Sequence, residues 1–193
     1  MVNYMPNQSD PVGSVSAKSW EMSLGDFLSD SVQRSPEKVF VEVSGQQLTY
    51  SQFQDQVSQT AGMFQALGVR SGDRVCLLLP NCTEFLLCWF GLSLFGAISV
   101  PVNTAYKRQE TTFILNNSEA VALVTHDSLM DVAHGAVQDA PGVQHKLVVG
   151  MDTNLVDGWL SFSHAIGSAK PLSSIPTVSA DAISMLVYTS GTT

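Results

Sequence analysis

The sequence predicts an α/β fold in which a mainly parallel sheet carries helices on its faces. Two observations lead there. From Val75 to Val149, short apolar runs alternate with helical patterns in a β-α-β-α-β-α-β rhythm, which suits parallel strands joined by crossover helices. The runs are also nearly continuous in apolar residues instead of alternating, as expected of a sheet buried on both sides. Composition adds a third point. At 193 residues the chain is long enough for one domain with a sizeable core. Only 13% of its residues are charged, about half the usual ~25%, so part of its apolar surface is expected to be covered by further sequence.

The elements follow in order. Met1–Trp20 is polar, lacks the basic-then-apolar design of a signal peptide, and reads as a loose leader before a domain spanning 21–193. Leu24, Phe27, Leu28, Ser31 and Val32 trace one face of a helix that Pro36 ends. Val39–Val43 and Gln46–Tyr50 flank Ser44-Gly45 as a hairpin. Ser51 and Gln54 have capping-box spacing, and Phe53, Val57, Phe64 and Leu67 form the apolar face of a helix that stops at Gly68.

After the turn at Ser71-Gly72-Asp73, strands are expected at Val75–Leu79, Ile98–Val102, Ala120–Val124 and Lys146–Val149. Helices are expected at Glu84–Phe95, Arg108–Asn117 and Ser128–Gln138. Met151–Asp181 is a looser connection with a short helix near Trp159–Ile166, and Ile183–Tyr188 reads as a last, buried strand.

Several function classes fall away. The net charge of −8 argues against nucleic acid or an acidic membrane as partner, because phosphate surfaces attract faces rich in Lys and Arg. Cys76, Cys82 and Cys88 do not have zinc spacing and read as core cysteines in a reducing compartment, consistent with a cytoplasmic protein. The four histidines form no ligand pattern. No charged residue falls between Glu84 and Lys107, yet Gly91, Gly96 and Pro101 interrupt that stretch. It divides into a buried helix and strand rather than a membrane span.

The chemistry is expected at Tyr188-Thr189-Ser190-Gly191-Thr192-Thr193, where an apolar run delivers hydroxyls around one glycine. Glycine lets the backbone approach a polyphosphate closely, and Ser/Thr hydroxyls add rotatable donors. A plain polar end is the alternative reading, but the chemistry suits a polyphosphate.

Two earlier segments strengthen that reading. Leu48-Thr49-Tyr50-Ser51-Gln52-Phe53 and Phe95–Thr104, with Tyr188–Thr193, resemble the first three core motifs of the adenylate-forming enzymes, in order and at matching separations. The resemblance runs from about Leu24 to Thr193. It implies the N-terminal part of the large domain of such an enzyme, with Thr189, Ser190, Gly191, Thr192 and Thr193 as the candidate ligands of the ATP phosphates and Tyr188 packed at the strand end. The first two motifs are structural in this reading, with Gly96 ending a helix and Pro101 a strand. Val102-Asn103-Thr104 follows the acyl-CoA synthetase pattern, where peptide synthetases typically carry an aspartate. Asn81–Phe85 and Cys88–Leu92 resemble the crotonobetaine/carnitine–CoA ligase branch.

The resemblance implies an ATP-dependent, AMP-forming ligation of a small carboxylic acid to CoA through an acyl-adenylate. It also implies a continuation Gly-x-Pro-Lys-Gly beyond Thr193, a glutamate for Mg²⁺, an adenine-binding segment, a ribose-binding aspartate and a catalytic lysine, none of which lies within these residues. No catalytic residue is therefore expected within the 193 residues. As a polypeptide on their own they are expected to be inactive, to bind ATP, Mg²⁺ or CoA at most weakly, and to self-associate through exposed apolar surface. The alternative is a naturally short, non-catalytic α/β binding or interaction module.

Overall fold

The structure is a computed structural model that describes residues 21–189 apart from Asn154, Ser173 and Ile175. The leader expected over residues 1–20 and the candidate ligands Ser190, Gly191, Thr192 and Thr193 lie outside the described residues.

Helix α1 (Leu24–Arg34) starts at Ser23, whose hydroxyl accepts the Asp26 N–H at 3.1 Å. Strands β1 (Val39–Val43) and β2 (Gln46–Thr49) form the expected antiparallel hairpin. Its two-residue loop needs positive φ at both positions, and Ser44 (51°) and Gly45 (79°) supply it. Helix α2 (Tyr50–Ala66) is capped two residues earlier than the sequence suggested. Thr49, still extended at the end of β2, accepts the Gln52 N–H at 3.2 Å, and the Gln52 side chain accepts the Thr49 N–H at 3.0 Å. Ser51 and Gln54 thus lie inside the helix. Phe40 stacks on Tyr50 and meets Phe53 edge-on, which fixes the hairpin to α2.

The main sheet is parallel throughout, with strand order β4-β3-β5-β6-β7. Its strands are β3 (Arg74–Leu78), β4 (Ile98–Pro101), β5 (Ala122–His126), β6 (His145–Val149) and β7 (Leu160–Ser161). Between them run α3 (Thr83–Ser93), α4 (Arg108–Asn117) and α5 (Met130–Val137), the last preceded by a short 3-10 turn at Asp127–Leu129. Helix α6 (Phe162–Ser168) closes the series.

Successive strand residues serve two separate cores, as a period of two requires. Val75, Leu77, Val124 and Leu147 face α1, α2, α3 and α6; Cys76, Leu78, Leu123 and Val148 face α4 and α5.

Three expectations need correction. β5 begins at Ala122, not Ala120, because the turn after α4 extends further. Glu119 adopts a left-handed φ of 51°, and the Arg74 guanidinium holds that turn by donating to the Ser118 and Glu119 carbonyls at 2.6 and 3.0 Å. β7 was not foreseen; two residues carry no readable period. The run Ile183–Tyr188 is not a buried strand. It meets the sheet through one parallel bridge, Ser99 with Met185, and Ile183, Leu186 and Val187 are exposed. It lies at the outer edge of β4 and pairs with no second strand among the described residues.

Candidate functional site

The segment Ile183–Thr189 is the part of the candidate site that the structure describes. It runs parallel to β4, with Met185 opposite Ser99. Two residues past Ser99 β4 ends at Pro101, so Thr189, four residues past Met185, is carried beyond the carboxyl edge of the sheet. That edge is where open parallel sheets bind ligands, at the point where neighbouring strands send their helices to opposite faces. In the order β4-β3-β5-β6-β7 that point lies between β3 and β5, whose following helices α3 and α5 pack on opposite faces, and β4 stands between β3 and the segment.

Thr189 is exposed, and it borders a cleft lined by Tyr106, Gln109, Glu110, Phe113 and Tyr188. Tyr188 is half-buried against α4, meets Phe113 edge-on, and donates its hydroxyl proton to Asn117 Oδ1 at 2.6 Å. Desolvation there, with the Cys76 thiol nearby, raises its phenol above the ordinary value. The expectation that Tyr188 packs rather than binds agrees with this geometry. The loop from Asn103 to α4 is ordered by its own groups. Asn103 Oδ1 accepts the Ala105 N–H at 2.9 Å, and the Glu110 carboxylate accepts the Lys107 N–H at 3.1 Å.

Upstream, Ser184 ties the segment to the scaffold. Its carbonyl accepts both the Ser99 N–H and the Ser99 hydroxyl, each at 3.1 Å. Its own hydroxyl lies 2.9 Å from the Trp89 indole N–H and 2.9 Å from the Ser93 hydroxyl. Sequence reasoning missed these four residues. The one available signal was Ser184 itself, a hydroxyl interrupting an otherwise apolar run.

The other candidate chemistries find no support among the described residues. No group of three His, Cys, Asp or Glu is placed to hold a metal ion, so they do not by themselves fit Mg²⁺. The three cysteines are free. Burial pushes the Cys76 thiol up to about 12 and that of half-buried Cys82 to about 11, and raises fully buried Cys88 well above its ordinary value. His126 does have partners at the end of β5: its Nδ1 lies 2.8 Å from Asp127 Oδ1 and 2.9 Å from Ser128 Oγ. Among the described residues no helix is long and apolar enough to cross a membrane.

A parallel sheet with helices on both faces, and a segment that carries Thr189 past its carboxyl edge, is the layout of a nucleotide-binding α/β protein. Residues 28–193 match the AMP-binding enzyme family, and the chain belongs to it. A crotonobetaine/carnitine–CoA ligase of Escherichia coli O1:K1 / APEC is 38% identical over 148 residues, covering 75% of this chain and 28% of the relative. One from Salmonella enteritidis PT4 is 36% identical over 149 residues, with 76% and 29% covered. Among solved structures, an anthranilate–CoA ligase in complex with anthranoyl-AMP superposes with a TM-score of 0.79 at 26% identity, covering 90% of this chain and 33% of that one. The chain thus spans under a third of the length of these relatives.

Proposed function

We propose that these residues form the N-terminal part of the nucleotide-binding domain of an ATP-dependent, AMP-forming carboxylic acid–CoA ligase. The observation that carries the reading is the docking of Ile183–Thr189 beside β4. It carries Thr189, the first residue of a Thr-Ser-Gly-Thr-Thr run in the sequence, past the carboxyl edge of a doubly wound sheet, in a chain of the AMP-binding family. Thr189 and the four residues after it then donate hydroxyl and backbone N–H groups to the β- and γ-phosphates of ATP. A carboxylate oxygen of the acid attacks the α-phosphorus, and the bond to the β-phosphate oxygen breaks to release pyrophosphate. The CoA thiol next attacks the acyl carbon, loses its proton and displaces AMP. The loop's part is to position the triphosphate and to offset charge on the leaving pyrophosphate.

Mg²⁺ belongs to the proposal, but its ligands lie outside the described residues and no step is routed through it. A cytoplasmic site of action is also proposed, supported by the three cysteines remaining thiols. The first acids to try are crotonobetaine and carnitine, which the names of the relatives supply, followed by anthranilate.

Acid-dependent exchange of labelled pyrophosphate into ATP by the full-length protein tests the reading. One of these acids, or a close analogue, is expected to support exchange and, with CoA added, to yield AMP and the thioester in equal amounts. A polypeptide of the 193 residues alone is expected to show none. Exchange without any acid, or ADP in place of AMP as product, would overturn the assignment.

A further inference from the structure

Little apolar burial holds Ile183–Thr189 in place. Ile183 is 63% exposed, Val187 59% and Leu186 39%, and the segment has one bridge to the sheet. An edge segment held so lightly is free to slip in register, and a slip of one residue turns every side chain to the opposite face. Ser184 is where this is prevented.

The protons can be assigned one by one, because each hydroxyl has only one to give. The Ser93 hydroxyl, 6% exposed, donates to the Trp89 carbonyl at 2.8 Å, one turn back in α3. Its contact with Ser184 is therefore one in which Ser93 accepts and Ser184 donates. Ser184 Oγ in turn accepts the Trp89 indole proton. Both lone pairs of the Ser184 carbonyl are taken by Ser99, which is fully buried. Every polar group of Ser184 beyond its own N–H is thus used, against α3 on one side and β4 on the other. No other register of the segment presents a hydroxyl at this position, since Ile183 and Met185 flank it.

We infer that Ser184, with Trp89 as its partner, is a positioning residue for phosphate binding, setting the register in which the segment carries Thr189 past the sheet edge. In this inference Ser184 acts through the strand. This rests on the ligase reading. A loop that grips the phosphates alike in the ground and transition states should show its misplacement in the KM for ATP, with kcat little changed.

The test uses the full-length protein and the acid-dependent pyrophosphate exchange, with the KM for ATP, the KM for the acid and the thermal midpoint measured for each variant. Ser184→Ala removes the donor to Ser93 and the acceptor of Trp89; Trp89→Phe keeps an aromatic ring but removes the N–H. Each is expected to raise the KM for ATP by about three- to tenfold, the range a lost hydrogen bond supports. The acid KM should stay within about twofold, well under the tenfold that ~1.4 kcal/mol represents. The double variant should be little worse than either single one, because both delete the same bond. Ser184→Thr, which keeps the hydroxyl, should recover most of the loss. Unchanged KM for ATP in both single variants, or a fall in thermal midpoint alone, would overturn the inference and leave the ligase reading intact. Absence of exchange in the wild-type protein would overturn both.

Discussion

Cys76, Cys82 and Cys88 are chemically alike, and their surroundings decide what each does. Burial raises all three thiols, with Cys76 near 12 and Cys82 near 11 against an ordinary 9.0. For an acid raised in the folded state, the unfolded chain loses its proton first as pH rises. The contribution of Cys76 to stability is therefore whole below pH 9.0 and declines from there toward about 12. Melting curves from pH 7 upward should show stability falling above about pH 9, and alkylation at neutral pH should label Cys82 well before Cys76 or Cys88. Early labelling of Cys88 would contradict its burial. The core role of Cys76 and Cys88 was legible in the sequence, because their spacing excluded metal binding and their neighbours were apolar. The roles of Trp89, Ser93, Ser99 and Ser184 were not. Trp89 and Ser93 meet Ser184 across 95 and 91 residues and Ser99 meets it across 85, and no local pattern announces such meetings.

At the scale of elements, helices and strands with several apolar residues in period were legible to within a residue or two, α4 at both ends. Boundaries failed where a turn, not hydrophobicity, sets them. Thr49 caps α2 because the hairpin leaves it extended with its hydroxyl beside the Gln52 N–H, a fact of the hairpin register. Thr49→Ala should therefore cost about 1 kcal/mol in urea unfolding, the usual loss for a helix cap. Ser51→Ala, at the position the sequence favoured, should stay within about 0.5 kcal/mol of wild type. The reverse order would restore the sequence-based cap. The same limit explains Ile183–Tyr188. An apolar run reveals that a segment prefers to be covered, but not how many neighbours the fold supplies to cover it. Here, among the described residues, one strand pairs with it, β4, and α3 and α4 hold Ser184 and Tyr188.

For the whole molecule, the most exposed of the large apolar residues lie at the β4 side. Phe113, Ile183 and Val187 are each about three-fifths exposed, and they lie on α4 and on the edge segment beside it, with Phe113 against Tyr188. The opposite edge of the sheet ends in β7, only two residues long, which blunts pairing there. The β4 side has no comparable protection, since the outer backbone of Ile183–Thr189 meets no strand among the described residues. A polypeptide of these 193 residues should thus associate with a second copy through this edge, strand to strand, with apolar contacts reinforcing the pairing. Sedimentation velocity across a hundredfold range of concentration should show the average mass rising. Val187→Lys should oppose it by placing a charge on the pairing edge while leaving the two cores untouched. In a full-length protein of the proposed kind the same substitution should lower stability instead, because further sequence would cover that edge from within the chain. A monodisperse monomer at every concentration would mean that the edge is already closed, and with it the physical reason for expecting further sequence to pack there would be lost.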